Sequence, residues 1–126
     1  MQRNFTHLNP HRHILLAVIS LVFVSCVYFN TFYNAETSFK KAMKIIEESP
    51  ILDDDELPSQ AKKLLGDAIE NSKLVIKEYP DSKYVDDAIF IIAKASFLRD
   101  EIAIAESQFK LLLRQYPDSK FYSYSE

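Results

Sequence analysis

Glycine occurs once in the 126 residues, at Gly66, cysteine once, at Cys26, and tryptophan not at all. One glycine leaves no glycine-rich loop to cradle a phosphate, and one cysteine cannot close an internal disulfide. All three histidines, His7, His11 and His13, stand near the amino terminus, and no acidic residue precedes Glu36. The rest of the chain therefore has no imidazole for a nucleophile–base pair or a zinc site. Past residue 25 there are 13 Lys and Arg against 18 Asp and Glu, a net charge of −5. The lysines are interleaved with acids rather than clustered, which argues against nucleic acid as a partner. The acidic run Asp53, Asp54, Asp55 and Glu56 has neither the alternating ligands nor the turn glycine of a calcium loop, and reads as solvated loop.

What is present divides into a leader and a helix-forming body. Arg3 and Arg12 precede an eleven-residue apolar run, Ile14 to Val24, that ends in Ser25 and Cys26. A basic start and a run of this length have the form of a signal peptide, whereas a bilayer span needs roughly 20 residues. The small residue before Cys26 resembles the lipobox of bacterial lipoproteins, with Phe23 where that pattern usually has Leu. The resemblance implies cleavage after residue 25 and a covalent lipid on Cys26, with no other cofactor. Val27 in place of Asp after the cysteine implies delivery to the outer membrane. The competing reading is an uncleaved anchor. Ile14 to Ala35 carries no formal charge, and Tyr28, Phe29, Phe32 and Tyr33 suit an interfacial aromatic belt.

The body repeats itself. YPDSKY at Tyr79–Tyr84 recurs as YPDSKF at Tyr116–Phe121, an offset of 37 residues, which is a period typical of helical solenoids. In each copy Pro stops one helix, and Asp or Ser offers an oxygen to the exposed N–H groups of the next; Asp86 and Asp87 favour the same helix start through its dipole. Apolar spacing predicts helices over about 34–48, 59–78, 82–99 and 102–115, with Ser59 as a cap. The third is apolar on two sides and should be packed on both, with Phe90, Ile91 and Phe97 read as packing residues. The expectation is an all-α body over 34–126 behind a leader at 1–25 and a lipidated tether at 26–33.

Ala105, Phe109 and Pro117 have the spacing of the tetratricopeptide repeat, with Ala68 and Pro80 in the preceding unit and Ile92 and Ala93 where that family has Leu followed by a small residue. Ser72 replaces the aromatic of the first unit and Ser96 the family's tyrosine. The resemblance implies an α-solenoid of helical hairpins that binds other proteins. With the lipobox-like Cys26 and the aromatic segment from Asn30 to Ala35, the chain resembles the BamD-like lipoproteins of the outer-membrane β-barrel assembly machinery. That implies a non-enzymatic scaffold on the periplasmic face of the outer membrane, with assembly components as partners. The alternative is an inner-membrane adaptor, anchored by residues 14–35, that docks an enzyme or transporter. Repeat arrays generally need about three units to stand alone, and barely two are present. A fragment of a longer array, or a partner over the open end, is therefore expected, with an exposed apolar edge from Ile102 to Leu113.

Overall fold

The computed structural model describes residues 10–49 and 56–121, and of residues 10 and 20–29 the backbone alone. Among these residues there are four α-helices and no strand: α1 (Pro10–Glu48), α2 (Ser59–Glu78), α3 (Val85–Leu98) and α4 (Ile102–Gln115). The side chain of Cys26 and the acids Asp53 to Asp55 lie outside the described residues.

The first helix differs from the one expected over 34–48. It runs unbroken from Pro10 through Cys26 to Glu48. Pro10 is tolerated at a helix start because its missing N–H would be unsatisfied there, and no Pro or Gly follows within the helix. Among the described side chains Phe32 is the first of α1 to be buried, so the end of the expected tether belongs to the core. Ile14, Leu15, Leu16, Val18 and Ile19 are exposed. Among the described residues no helix is long and apolar enough to cross a membrane; the segment read as a possible anchor includes the undescribed side chains of 20–29.

Three clusters of buried side chains order the helices. Phe32 and Ala35 of α1 meet Ala68 and Val75 of α2 and Ala88 and Ile91 of α3. Farther along, Ala42 meets Leu65 and Ile69, with Ile92 and Ala95. As α1 and α3 advance from the first cluster to the second, α2 runs back, so neighbours are antiparallel. Val85 and Ile89 on the other side of α3 pack on Leu112 of α4, which again opposes the start of one helix to the end of the next. Alanine at the crossings lets the helix axes approach closely.

Local chemistry sets the helix ends. At the start of α2 the cap position is Pro58, not the expected Ser59, and no side chain caps it; the Pro58 carbonyl accepts from Lys62 N–H at 2.9 Å. α3 begins at Val85 rather than near 82, because Ser82 Oγ accepts from Tyr84 N–H at 2.9 Å and holds those residues in a turn. Its carboxyl end closes in a Schellman motif: Glu101 N–H donates to Ser96 C=O at 2.9 Å and Asp100 N–H to Phe97 C=O at 3.1 Å. Asp100 takes the left-handed conformation there, with φ 63°. Arg99 crosses from this turn to α2, donating to Lys62 C=O at 3.1 Å and pairing with Glu101 at 2.8 Å. A Cβ on Gly66 would lie 2.7 Å from the Arg99 guanidinium, so glycine gives that side chain its room.

Two buried hydroxyls are left over. Ser72 and Ser96 are fully buried, and neither Oγ has a hydrogen-bond partner among the described residues. An unsatisfied buried hydroxyl costs roughly 1–3 kcal/mol, and alanine is the better helix former. Ser72→Ala and Ser96→Ala are each expected to stabilise the protein by about 1 kcal/mol, read as a rise in the thermal or denaturant midpoint. A drop in both variants would show that the hydroxyls hold bonds the fold needs.

Candidate protein-docking surface

The two YPDSK segments fold alike. Tyr79 and Tyr116, which end α2 and α4, have φ/ψ of −135°/56° and −132°/59°. Tyr79 N–H donates to Val75 C=O and Tyr116 N–H to Leu112 C=O, both at 2.9 Å. Ser82 N–H to Tyr79 C=O and Ser119 N–H to Tyr116 C=O are both 3.0 Å. Ser119 Oγ accepts from Phe121 N–H at 3.3 Å, as Ser82 Oγ does from Tyr84. Each segment then hands its last aromatic ring back to an earlier helix. Tyr84 stacks on Phe32 of α1 with ring centroids 4.4 Å apart, and Phe121 on Phe90 of α3 at 4.0 Å.

The second segment also grips the start of α3. Ser119 Oγ donates to Asp86 Oδ2 at 2.7 Å, and Lys120 Nζ pairs with Asp87 Oδ1 at 2.6 Å. The two partners of that ion pair are unequally exposed, Asp87 at 17% of its side chain and Lys120 at 66%. Burial pushes the Asp87 carboxyl above its ordinary pKa, outweighing the lowering by Lys120. The hydrogen bond to Asp87 raises the Lys120 ammonium above its own. The opposed readings of one bridge follow from that asymmetry, and desolvation of the more buried carboxylate governs.

Beyond these contacts the open side of the α3–α4 hairpin is apolar. A groove of about 370 Å³ is lined by Phe97, Ile102, Ala105, Phe109 and Leu113, with Glu106 and Lys110 at its rim. Phe97 is 53% exposed and Ile102 49%. Glu106 and Lys110 form an ion pair one turn apart on the helix. A smaller cavity of about 200 Å³ lies beside Arg99, between Leu57, Lys62 and Leu98. Among the described residues no cluster of His, Cys, Asp and Glu could hold a metal ion.

The residues singled out from the sequence separate by place. Ala68, Ile92, Ala93 and Ala105 are buried at helix crossings, and Pro80 and Pro117 are exposed in the two turns. Phe109 stands edge-on to Phe90 at 6.4 Å and lines the groove with Ala105. The apolar edge expected from Ile102 to Leu113 is this surface. Phe90 and Ile91 pack as expected, but Phe97 does not; near the end of α3 it projects past the last turn into the groove. The clasp of Asp86 and Asp87 by Ser119 and Lys120 was not legible, since nothing in the sequence pairs residues 33 positions apart. The chain matches no family model, no curated protein and no solved structure.

Removing the cation of the clasp has a signed consequence. A carboxyl with a raised folded-state pKa favours folding most fully below its unfolded pKa, and that contribution fades as pH rises through the raised value. In Lys120→Ala the lowering influence on Asp87 is gone, so its carboxyl is expected to titrate at a higher pH than in the wild type, followed by NMR. An unchanged titration would mean that the bridge is not populated in solution.

Proposed function

We propose that the chain is a membrane-tethered, non-enzymatic scaffold of tetratricopeptide type that binds other proteins, of the BamD-like kind that serves outer-membrane protein assembly. The observation that carries the repeat reading is the like build of the two YPDSK turns, each returning an aromatic ring to the first helix of the hairpin it follows. Two equal turns 37 residues apart divide the body into units of one plan, and each unit buries its apolar face only by stacking on its neighbour. The exposed groove of the second hairpin gives such a scaffold an apolar surface of the kind proteins use in recognition. Chemistry on a bound substrate has no constellation to rest on: every histidine lies in the leader.

In this reading Cys26 carries a covalent lipid after removal of residues 1–25, and the body hangs at the periplasmic face of the outer membrane. A second reading draws on one observation, the continuity of α1 from Pro10 through Cys26 into the packed body. A leader that stays attached would make the protein an inner-membrane adaptor with the same docking body, serving an enzyme or a transport complex.

The intact mass of the membrane-extracted protein from a Gram-negative host separates the two. A mass beginning at Cys26 plus acyl chains, lost in Cys26→Ser, is expected. An uncleaved mass in both would overturn the lipoprotein and leave the anchored adaptor. For the scaffold itself, deleting residues 34–126 is expected to abolish partner pull-down while the remainder still localises to the membrane; retained capture would refute a docking role for the helical body.

A further inference from the structure

Both YPDSK turns lie at one end of the body, and α1 enters the body at that same end. Tyr84 of the first turn stacks on Phe32, the first described side chain of α1 to be buried. Ser119 and Lys120 of the second turn hold Asp86 and Asp87 in the first turn of α3. The start of α3 is level with Phe32, since Ala88 and Phe32 share one cluster. The opposite end holds the close of α1, at Glu48, and the turn from Arg99 to Glu101; Ile46 and Leu98 pack on one cluster there. From Phe32 to Glu48 the rise of α1 is about 24 Å, which is the distance between the two ends.

The connection from the leader to the Phe32 end is helix. α1 passes through Cys26 to Phe32 without a break, so the body cannot swing as it would on a flexible linker. Phe32 stands six residues past Cys26 and eight past Val24, about 9 Å and about 12 Å of rise. The headgroup layer outside one face of the hydrocarbon core is roughly 5–7 Å deep. A lipid on Cys26, or an apolar run retained in the bilayer as far as Val24, therefore brings the Phe32 end to within a few ångströms of the headgroups. On the leader side of the same helix Ile14, Leu15, Leu16, Val18 and Ile19 are exposed.

We propose that α1 holds the body end-on, with the two YPDSK turns and Tyr33 against the zwitterionic headgroup layer of a phospholipid bilayer. The inference rests on the membrane-tethered reading and adds to it the orientation of the body. Composition suits the place. Tyr33 is 52% exposed beside the entry point, and Lys83 and Lys120 lie over the rings of Tyr84 and Phe121 at 4.9 and 4.7 Å. Tyrosines, and lysines on apolar stems, are side chains that settle at headgroup depth. Asp81 and Lys83 in one turn and Asp118 and Lys120 in the other are exposed, so the face offers both signs of charge and requires no anionic lipid.

The test uses the full chain, extracted from the membrane and reconstituted in phosphatidylcholine vesicles that contain a lipid with a nitroxide on its headgroup. A fluorophore is attached in turn to Asp81→Cys and Asp118→Cys at the near end and to Glu47→Cys and Ala103→Cys at the far end, all at exposed positions. Unsubstituted protein, whose one cysteine is Cys26, gives the background. Quenching is expected to be at least about twofold stronger at 81 and 118 than at 47 and 103, because about 24 Å is most of the thickness of a hydrocarbon core. Asn30→Pro, at an exposed position between Cys26 and Phe32, breaks the helix and is expected to level the four signals while the body keeps its thermal midpoint. Equal quenching at all four positions with α1 intact, or stronger quenching at the far end, would overturn the inference and leave the tether standing. An undiminished difference in Asn30→Pro would also overturn it, because the helix would then not be what orients the body. A chain that does not float with the vesicles removes the tether itself and the inference with it.

Discussion

Helix α3 buries two of its faces and leaves only a strip through Lys94 and Phe97 open to solvent. Val85, Ala88, Ile89, Ile91, Ile92, Ala93, Ala95 and Ser96 are all buried in a helix of 14 residues. Each Val or Ile among them loses on the order of 1.5–3 kcal/mol if left exposed, so α3 is stable only between two layers. The pair α1–α2 supplies one and α4 the other, and the order of helices in the body follows from that requirement. Alanine sets how closely the layers meet. Ala35, Ala42, Ala61, Ala68, Ala88, Ala93 and Ala95 are fully buried, and any larger side chain there would push two helices apart.

Much of this was legible in the sequence. The stripes over 59–78 and 102–115 give helices with those same bounds, because Pro58 and the two YPDSK segments punctuate them without ambiguity. The two-sided apolar pattern of 85–97 gave the sandwiched position of α3. The beginning of α3 was less legible, since Ser82 is equally at home as a cap and as the acceptor of a turn. The length of α1 was hidden because the leader was read by its export pattern, which is silent about helicity, and nothing between Pro10 and Glu48 breaks a helix. For the groove, the stripe of α4 was visible and the position of Phe97 was not: whether a residue at a helix end faces a neighbour depends on the turn that follows. Here that turn is fixed by Asp100 at positive φ.

The two hairpins share a plan and differ where burial differs. Ser72 stands in α2 at the position that Phe109 occupies in α4, and Ile69 at the position of Glu106. Under two layers of helix there is room for a hydroxymethyl and no place for a carboxylate. On a surface open to solvent the larger ring gains contact by standing edge-on to Phe90, and the carboxylate is hydrated and paired with Lys110. Repetition of the backbone thus coexists with a side-chain set adapted to what covers each unit.

The linkers give the hairpins different thermodynamic histories. Three residues, Arg99 to Glu101, separate α3 from α4, whereas ten, Ser49 to Pro58, separate α1 from α2. Closing the longer loop costs about 1 kcal/mol more chain entropy than closing the shorter one, and the shorter one is already bent by its Schellman motif. The α3–α4 pair can therefore meet early in folding, through contacts near in sequence. The hairpin whose loop closes at the lower entropy cost is thus the one with an open groove, whereas the one with the longer loop is covered by α3.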